Sequence, residues 1–110
     1  MKIEFFYFEG CPHHGPALQL LEKVMAKEGV ASPVTKTDVV SDSMAQEVRF
    51  AGSPSIRIND QDIEAEGIAE QGYGRKCRVY SVDGILQGIP PESLIRNAMT
   101  QAKTKESCCE

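Results

Sequence analysis

The sequence predicts a single α/β domain with a parallel β-α-β unit at its start. Three observations carry that reading. An aromatic and β-branched block, Ile3, Phe5, Phe6, Tyr7 and Phe8, opens the chain and has the pattern of a strand buried on both faces. Ala17, Leu18, Leu21, Val24 and Met25 then recur at three- and four-residue spacing, the signature of an amphipathic helix. Residues 33–40, rich in Val and Thr, favour a second strand. A strand, a crossover helix and a strand make a right-handed parallel unit.

The elements follow in order. The first strand is expected over residues 2–8, and the turn Gly10-Cys11-Pro12 leads into a helix over residues 13–28 closed by Gly29. Pro16 falls in its first turn, where a missing N–H costs little. After the second strand, Ser43 with Gln46 three residues on resembles a capping box for a short helix through Ala45, Val48 and Phe50, ended by Gly52. A third strand follows Pro54, with Ile56 and Ile58 alternating against Ser55, Arg57 and Asn59. Residues 60–76, acidic and then punctuated by Gly67, Gly72 and Gly74, read as a surface excursion too long for a tight hairpin. Cys77–Val82 is expected to be a fourth strand ended by Asp83-Gly84. Pro91 suits the first turn of a last helix with Leu94, Ile95, Ala98, Met99 and Ala102 on its apolar face. One domain over residues 1–103 is expected, with a polar, mobile tail over 104–110.

Composition excludes several classes. Of 110 residues, 41% are hydrophobic and 25% charged, the balance of an ordinary globular domain, without the run of about 18 apolar residues that spans a bilayer. A formal charge of -4 with scattered lysines and arginines offers no basic face for nucleic acid. Met1-Lys2-Ile3-Glu4 enters strand-like sequence at once, without the zones of a signal peptide. The cytoplasm is therefore the expected compartment. There, Cys11, Cys77, Cys108 and Cys109 are expected to be reactive or metal-binding rather than a disulfide framework.

Cys11 is the leading site residue, because a thiol delivered to the mouth of a helix meets unpaired N–H groups and the helix dipole, which favour the thiolate. His14, three residues on, is expected to stabilise that thiolate or act as a general base, with His13 a weaker candidate. Cys11 and His14 form half a zinc motif, and no second ligand pair of suitable spacing completes it. Asp60, Asp62, Glu64 and Glu66 lack the spaced ligand set of a calcium loop and read as a solvated turn.

The order β-α-β-α-β-β-α, with Gly10-Cys11-Pro12 after the first strand and Gly52-Ser53-Pro54-Ser55 opening the third, resembles the thioredoxin-like fold, a central mixed sheet flanked by helices. Tyr7-Phe8-Glu9-Gly10-Cys11-Pro12, the Gly52–Asn59 stretch and Gly72–Tyr80 are similar to a small group of bacterial thioredoxin-like proteins, some carrying selenocysteine. The resemblance covers residues 2 to 102. It implies that Cys11 is the nucleophile, that Pro12 follows it in the helix-opening motif, and that the Ser53-Pro54 peptide is cis, faces Cys11 and docks substrate through its backbone. The sequence departs from the thioredoxin motif where the second cysteine of Cys-x-x-Cys is His14. A resolving thiol must then come from Cys77, from Cys108 or Cys109, or from a small external thiol such as glutathione.

The adjacent Cys108 and Cys109 are too close along the chain to pair readily with each other. They resemble the C-terminal cysteine pair of mercuric reductases, which implies capture of a soft metal ion. Three functions are thus in view. The first is a thiol redox protein acting through Cys11 without a required cofactor, as a thiol-disulfide oxidoreductase on a thiol or disulfide substrate or as a thiol peroxidase. The second is a soft-metal protein holding mercury, arsenic or copper with Cys11, Cys108 and Cys109. The third is a binding module that uses the cis-proline surface without chemistry.

Overall fold

In a computed structural model, the described residues are 1–64, 73–74, 80–82 and 84–108. Strand β1 (Ile3–Tyr7), helix α1 (His14–Lys27) and strand β2 (Val34–Asp38) form the expected unit, β1 and β2 pairing in parallel with Ile3 opposite Val34 and Tyr7 opposite Asp38. Helix α2 (Asp42–Glu47) leads to β3 (Ser55–Ile58), which runs antiparallel to β1 with Phe6 opposite Ser55 and Ile3 opposite Ile58. A two-residue strand, β4 (Gln61–Asp62), completes a mixed sheet of order β2-β1-β3-β4. Strands β5 (Tyr80–Val82) and β6 (Ile85–Gln87) pair antiparallel in a second sheet, and helix α3 (Glu92–Cys108) follows. This is a mixed α/β architecture compatible with a thioredoxin-like fold. No helix among the described residues is long and apolar enough to cross a membrane.

Side chains alternate across a strand, and β1 uses both faces. Ile3 and Phe5 join Ala17, Leu21, Val24 and Met25 of α1, Ile56 and Ile58 of β3, and Ile95, Met99 and Ala102 of α3 in the larger core. Phe6 points the other way, into a smaller cluster with Val39, Ala45 and Phe50 under α2. The Arg57 guanidinium lies over the Phe6 ring, 4.3 Å from its centroid. It also donates to the carbonyls of Val48 and Arg49, just past the end of α2. One cation thus covers an aromatic face and satisfies two carbonyls that the helix end leaves open.

Local chemistry accounts for most departures from the expected elements. Helix α2 is capped by Ser41, not by Ser43: Ser41 has extended backbone, and its hydroxyl accepts from the Met44 N–H at 3.1 Å. The helix also ends earlier than Gly52, because Arg49 takes a left-handed conformation at φ 58°. The excursion expected after residue 60 opens instead on a tight hairpin, since Asn59 and Asp60 both have positive φ, 52° and 69°. Two such residues in succession make the primed turn that matches strand twist. Strand β6 was not foreseen, and the fourth strand is described only from Tyr80 onward. The segment expected to be a tail over 104–110 is helical through Cys108, an extension of α3. Residues 65–72 and 75–79, with Gly67, Gly72 and Cys77 among them, lie outside the described residues, as does Cys109.

Candidate functional site

The C-terminal end of β1 and the N-terminal approach to β3 lie side by side, because Phe6 pairs with Ser55. That register brings together two loops far apart in sequence. In one, the Cys11 N–H donates to the Phe8 carbonyl at 3.1 Å, closing a turn immediately after the strand. In the other, the Ser53-Pro54 peptide is cis, as the family resemblance implied. The Cys11 thiol donates to the Ser53 carbonyl at an Sγ···O distance of 3.6 Å, across 42 residues of sequence. Both residues are buried, Cys11 at 2% exposure and Ser53 at 0%.

The cis-proline loop is held from both sides by side-chain donors. Ser55 Oγ donates to the Gly52 carbonyl at 2.5 Å, and Tyr80 Oη donates to the Pro54 carbonyl at 2.7 Å. Three successive carbonyls, those of Gly52, Ser53 and Pro54, therefore each accept from a side chain. Tyr80 is fully buried, so its hydroxyl fixes this loop from the second sheet. Reasoning from sequence placed Tyr80 only within a strand, and its aromatic ring with a polar tip was the available signal.

Cys11 stands closer to the sheet than its spacing suggested. Helix α1 begins at His14 with His13 as its N-cap, and His13 makes no side-chain capping bond. Cys11 thus lies two residues before the cap, and its thiol is engaged with the Ser53 carbonyl rather than sitting in the first helical turn. The i, i+3 geometry that would aim His14 at Cys11 requires both residues in the helix. His14 instead stacks on Tyr7, with ring centroids 4.9 Å apart and planes 29° apart. Tyr7, expected in the core, is half-buried and supports this ring. His13 lies against Gly88: a Cβ on Gly88 would run into the imidazole ring, so any larger residue there requires that ring to move. Pro12, which follows Cys11, is exposed.

Of the C-terminal pair only Cys108 lies among the described residues, and it is not brought to this end. Ion pairing of Lys27 with Glu92 at 2.8 Å sets the start of α3 level with the last turn of α1. By Lys103 the helix has reached the Glu28 carbonyl, beyond the end of α1. Its middle also borders a groove of about 340 Å³ with Ile58 and Asn59, at the end of β3 remote from Ser53. Cys108 ends this helix, so its backbone is at the opposite end of the sheet from Cys11. A helix the length of α1 spans about 20 Å, whereas a disulfide requires Cα atoms within about 7 Å. Among the described residues, no three His, Cys, Asp or Glu side chains cluster closely enough to hold a metal ion.

Residues 15–99 match the family described as a domain of unknown function, DUF2703, and the chain belongs to that family. The matched segment contains the cis-proline loop and begins four residues after Cys11. No curated protein and no solved structure matches the chain.

Proposed function

We propose that this protein is a thioredoxin-like thiol redox protein that uses Cys11 as a single nucleophilic thiol. The observation that carries the reading is the meeting of Cys11 Sγ with the Ser53 carbonyl at 3.6 Å, in a loop pair the rest of the fold assembles from residues 42 positions apart. A thiol there adjoins a backbone segment suited to aligning an extended sulfur-containing substrate. The thiolate attacks one sulfur of a disulfide; the S–S bond breaks, the leaving sulfur departs as thiolate, and Cys11 is left in a mixed disulfide.

His14 stands in place of a second motif cysteine and Cys108 is at the opposite end of the sheet; with Cys77 and Cys109 outside the described residues, we assign release of that adduct to an external thiol such as glutathione. Attack of this thiolate on the mixed disulfide regenerates Cys11 and forms a new external disulfide. The substrate is thus a thiol or disulfide, the compartment a reducing one such as the cytoplasm, and neither a cofactor nor a nucleic acid is needed.

The test is glutathione-coupled turnover of a small disulfide. The wild-type protein is expected to exceed the uncatalysed rate and Cys11→Ser to fall to it. Replacing Cys108 and Cys109 with serine is expected to leave turnover within about twofold, because no step passes through them. Turnover that survives in Cys11→Ser would overturn the proposal.

A further inference from the structure

Around the cis-proline loop, three side chains donate to successive carbonyls and one buried side chain donates to nothing among the described residues. The Ser53 hydroxyl is buried and has no hydrogen-bond partner among the described residues, although its residue is fully enclosed. A buried hydroxyl without a partner is disfavoured, and such groups in native structures call for an explanation. The neighbouring side chains are already committed: Ser55 Oγ to Gly52, Tyr80 Oη to Pro54, and Cys11 Sγ to the carbonyl of Ser53 itself.

We propose that the Ser53 hydroxyl is the donor that receives the Cys11 sulfur once the thiol has lost its proton. This rests on the reading of Cys11 as the nucleophile. In the resting protein the S–H group donates to the Ser53 carbonyl, and the sulfur needs no other partner. On ionisation the S–H bond breaks, its electron pair stays on Sγ, and the proton passes to solvent; nothing is oxidised or reduced. The sulfur is then an acceptor only, facing a carbonyl oxygen that has lost its donor. Ser53 Oγ belongs to the residue already touching Sγ, and rotation about χ1 among staggered wells swings its O–H toward the sulfur. A hydrogen bond to a charged sulfur is stronger than one between neutral groups. The orphan hydroxyl is therefore a donor held in reserve for the thiolate.

The test measures alkylation of Cys11 by iodoacetamide at neutral pH in the folded full-length chain, read peptide by peptide by mass spectrometry. Ser53→Ala is expected to react about tenfold more slowly than wild type, the factor a charge-assisted hydrogen bond supplies. Its melting temperature should stay level or rise, since an unsatisfied buried hydroxyl has been removed. Ser53→Thr and Ser53→Val have nearly the same shape and differ in the hydroxyl, so this pair remains decisive if the alanine variant folds poorly. The threonine variant is expected to react about tenfold faster than the valine variant. The difference in ultraviolet thiolate absorbance from a Cys11→Ser reference should follow the same order. Equal rates for threonine and valine, or for wild type and alanine, would overturn the inference while leaving Cys11 as the nucleophile. A wild-type Cys11 that does not react at all would overturn both.

Discussion

The two ends of the β1–β3 pair solve the same problem with different chemistry. At the hairpin end, the Lys2 N–H donates to Asn59 Oδ1 and the Asn59 N–H to the Lys2 carbonyl, each at 2.8 Å, while Lys2 Nζ meets Asp60 at 2.8 Å. Those side chains are largely in water, and their contacts compete with hydration. At the other end, Cys11, Ser53, Ser55 and Tyr80 are buried, and the Ser53 hydroxyl has no partner among the described residues. The contrast teaches where function is expected: a solvated end can lose a contact cheaply, whereas an unsatisfied group at an enclosed end is costly and calls for a reason in the chemistry of the site.

The largest expected effect tests the enclosed end. Tyr80→Phe removes the donor to the Pro54 carbonyl while keeping the ring, and leaving that acceptor unsatisfied is expected to cost about 1–3 kcal/mol. Equilibrium urea unfolding measures it; a loss below a few tenths would place this loop with the solvated end. Next comes Gly88→Ala, whose new Cβ meets the His13 ring. The imidazole can swing aside, so a loss of roughly 1 kcal/mol is expected. His13→Ala in the same chain should remove most of it. A double variant no more stable than Gly88→Ala would show that the backbone, not His13, sets the cost.

The smallest effects belong to exposed ions. Asp60, through its hydrogen bond and its charge, with Glu4 adding to it, holds the Lys2 ammonium above the ordinary lysine range. A raised lysine value means that the contribution is present below the unfolded-state value and is lost as pH rises through the folded one. Lys27, by hydrogen bond and then charge, holds Glu92 below the ordinary carboxylate range. That contribution is present above the unfolded-state value and is lost as pH falls through the folded one. Asp60→Asn should therefore differ from wild type only on the near-neutral side of the alkaline limb, and Glu92→Gln only above the acid limb. Both differences should shrink in high salt. Melting curves across pH check this, and a salt-independent difference would contradict it.

Much of the framework was readable from the sequence because it is written in periodicity. The alternation of Ile3 and Phe5 against Phe6, and the three- and four-residue spacing of Ala17, Leu21, Val24 and Met25, anticipated β1 and α1 to within a residue or two. Helix α3 was anticipated from its apolar face, but its polar last turns carry no such signal and were taken for a tail. The Asn59-Asp60 turn was missed because the acidic run that follows it masks a two-residue hairpin.

The meeting of Cys11 with the Ser53-Pro54 loop was anticipated through motif resemblance, not spacing. The contact depends on strand register, which joins residues 42 apart. For the same reason His14 was aimed at Cys11 by a helical rule that does not apply before the N-cap. The orphan Ser53 hydroxyl and the acceptor of the Tyr80 hydroxyl are properties of packing; the polar tip of Tyr80 signals that it bonds something, not that it bonds the Pro54 carbonyl.

The central claim is that Cys11 reacts as a single thiol whose partner comes from outside the chain. Its most direct test is peptide-resolved mass spectrometry of the folded, reduced protein after one equivalent of oxidised glutathione. The account predicts a glutathione adduct on Cys11, without a bond from Cys11 to Cys77, Cys108 or Cys109 of the same chain. An intrachain disulfide from Cys11 to any of these three, or labelling of the other cysteines while Cys11 stays unmodified, would contradict it.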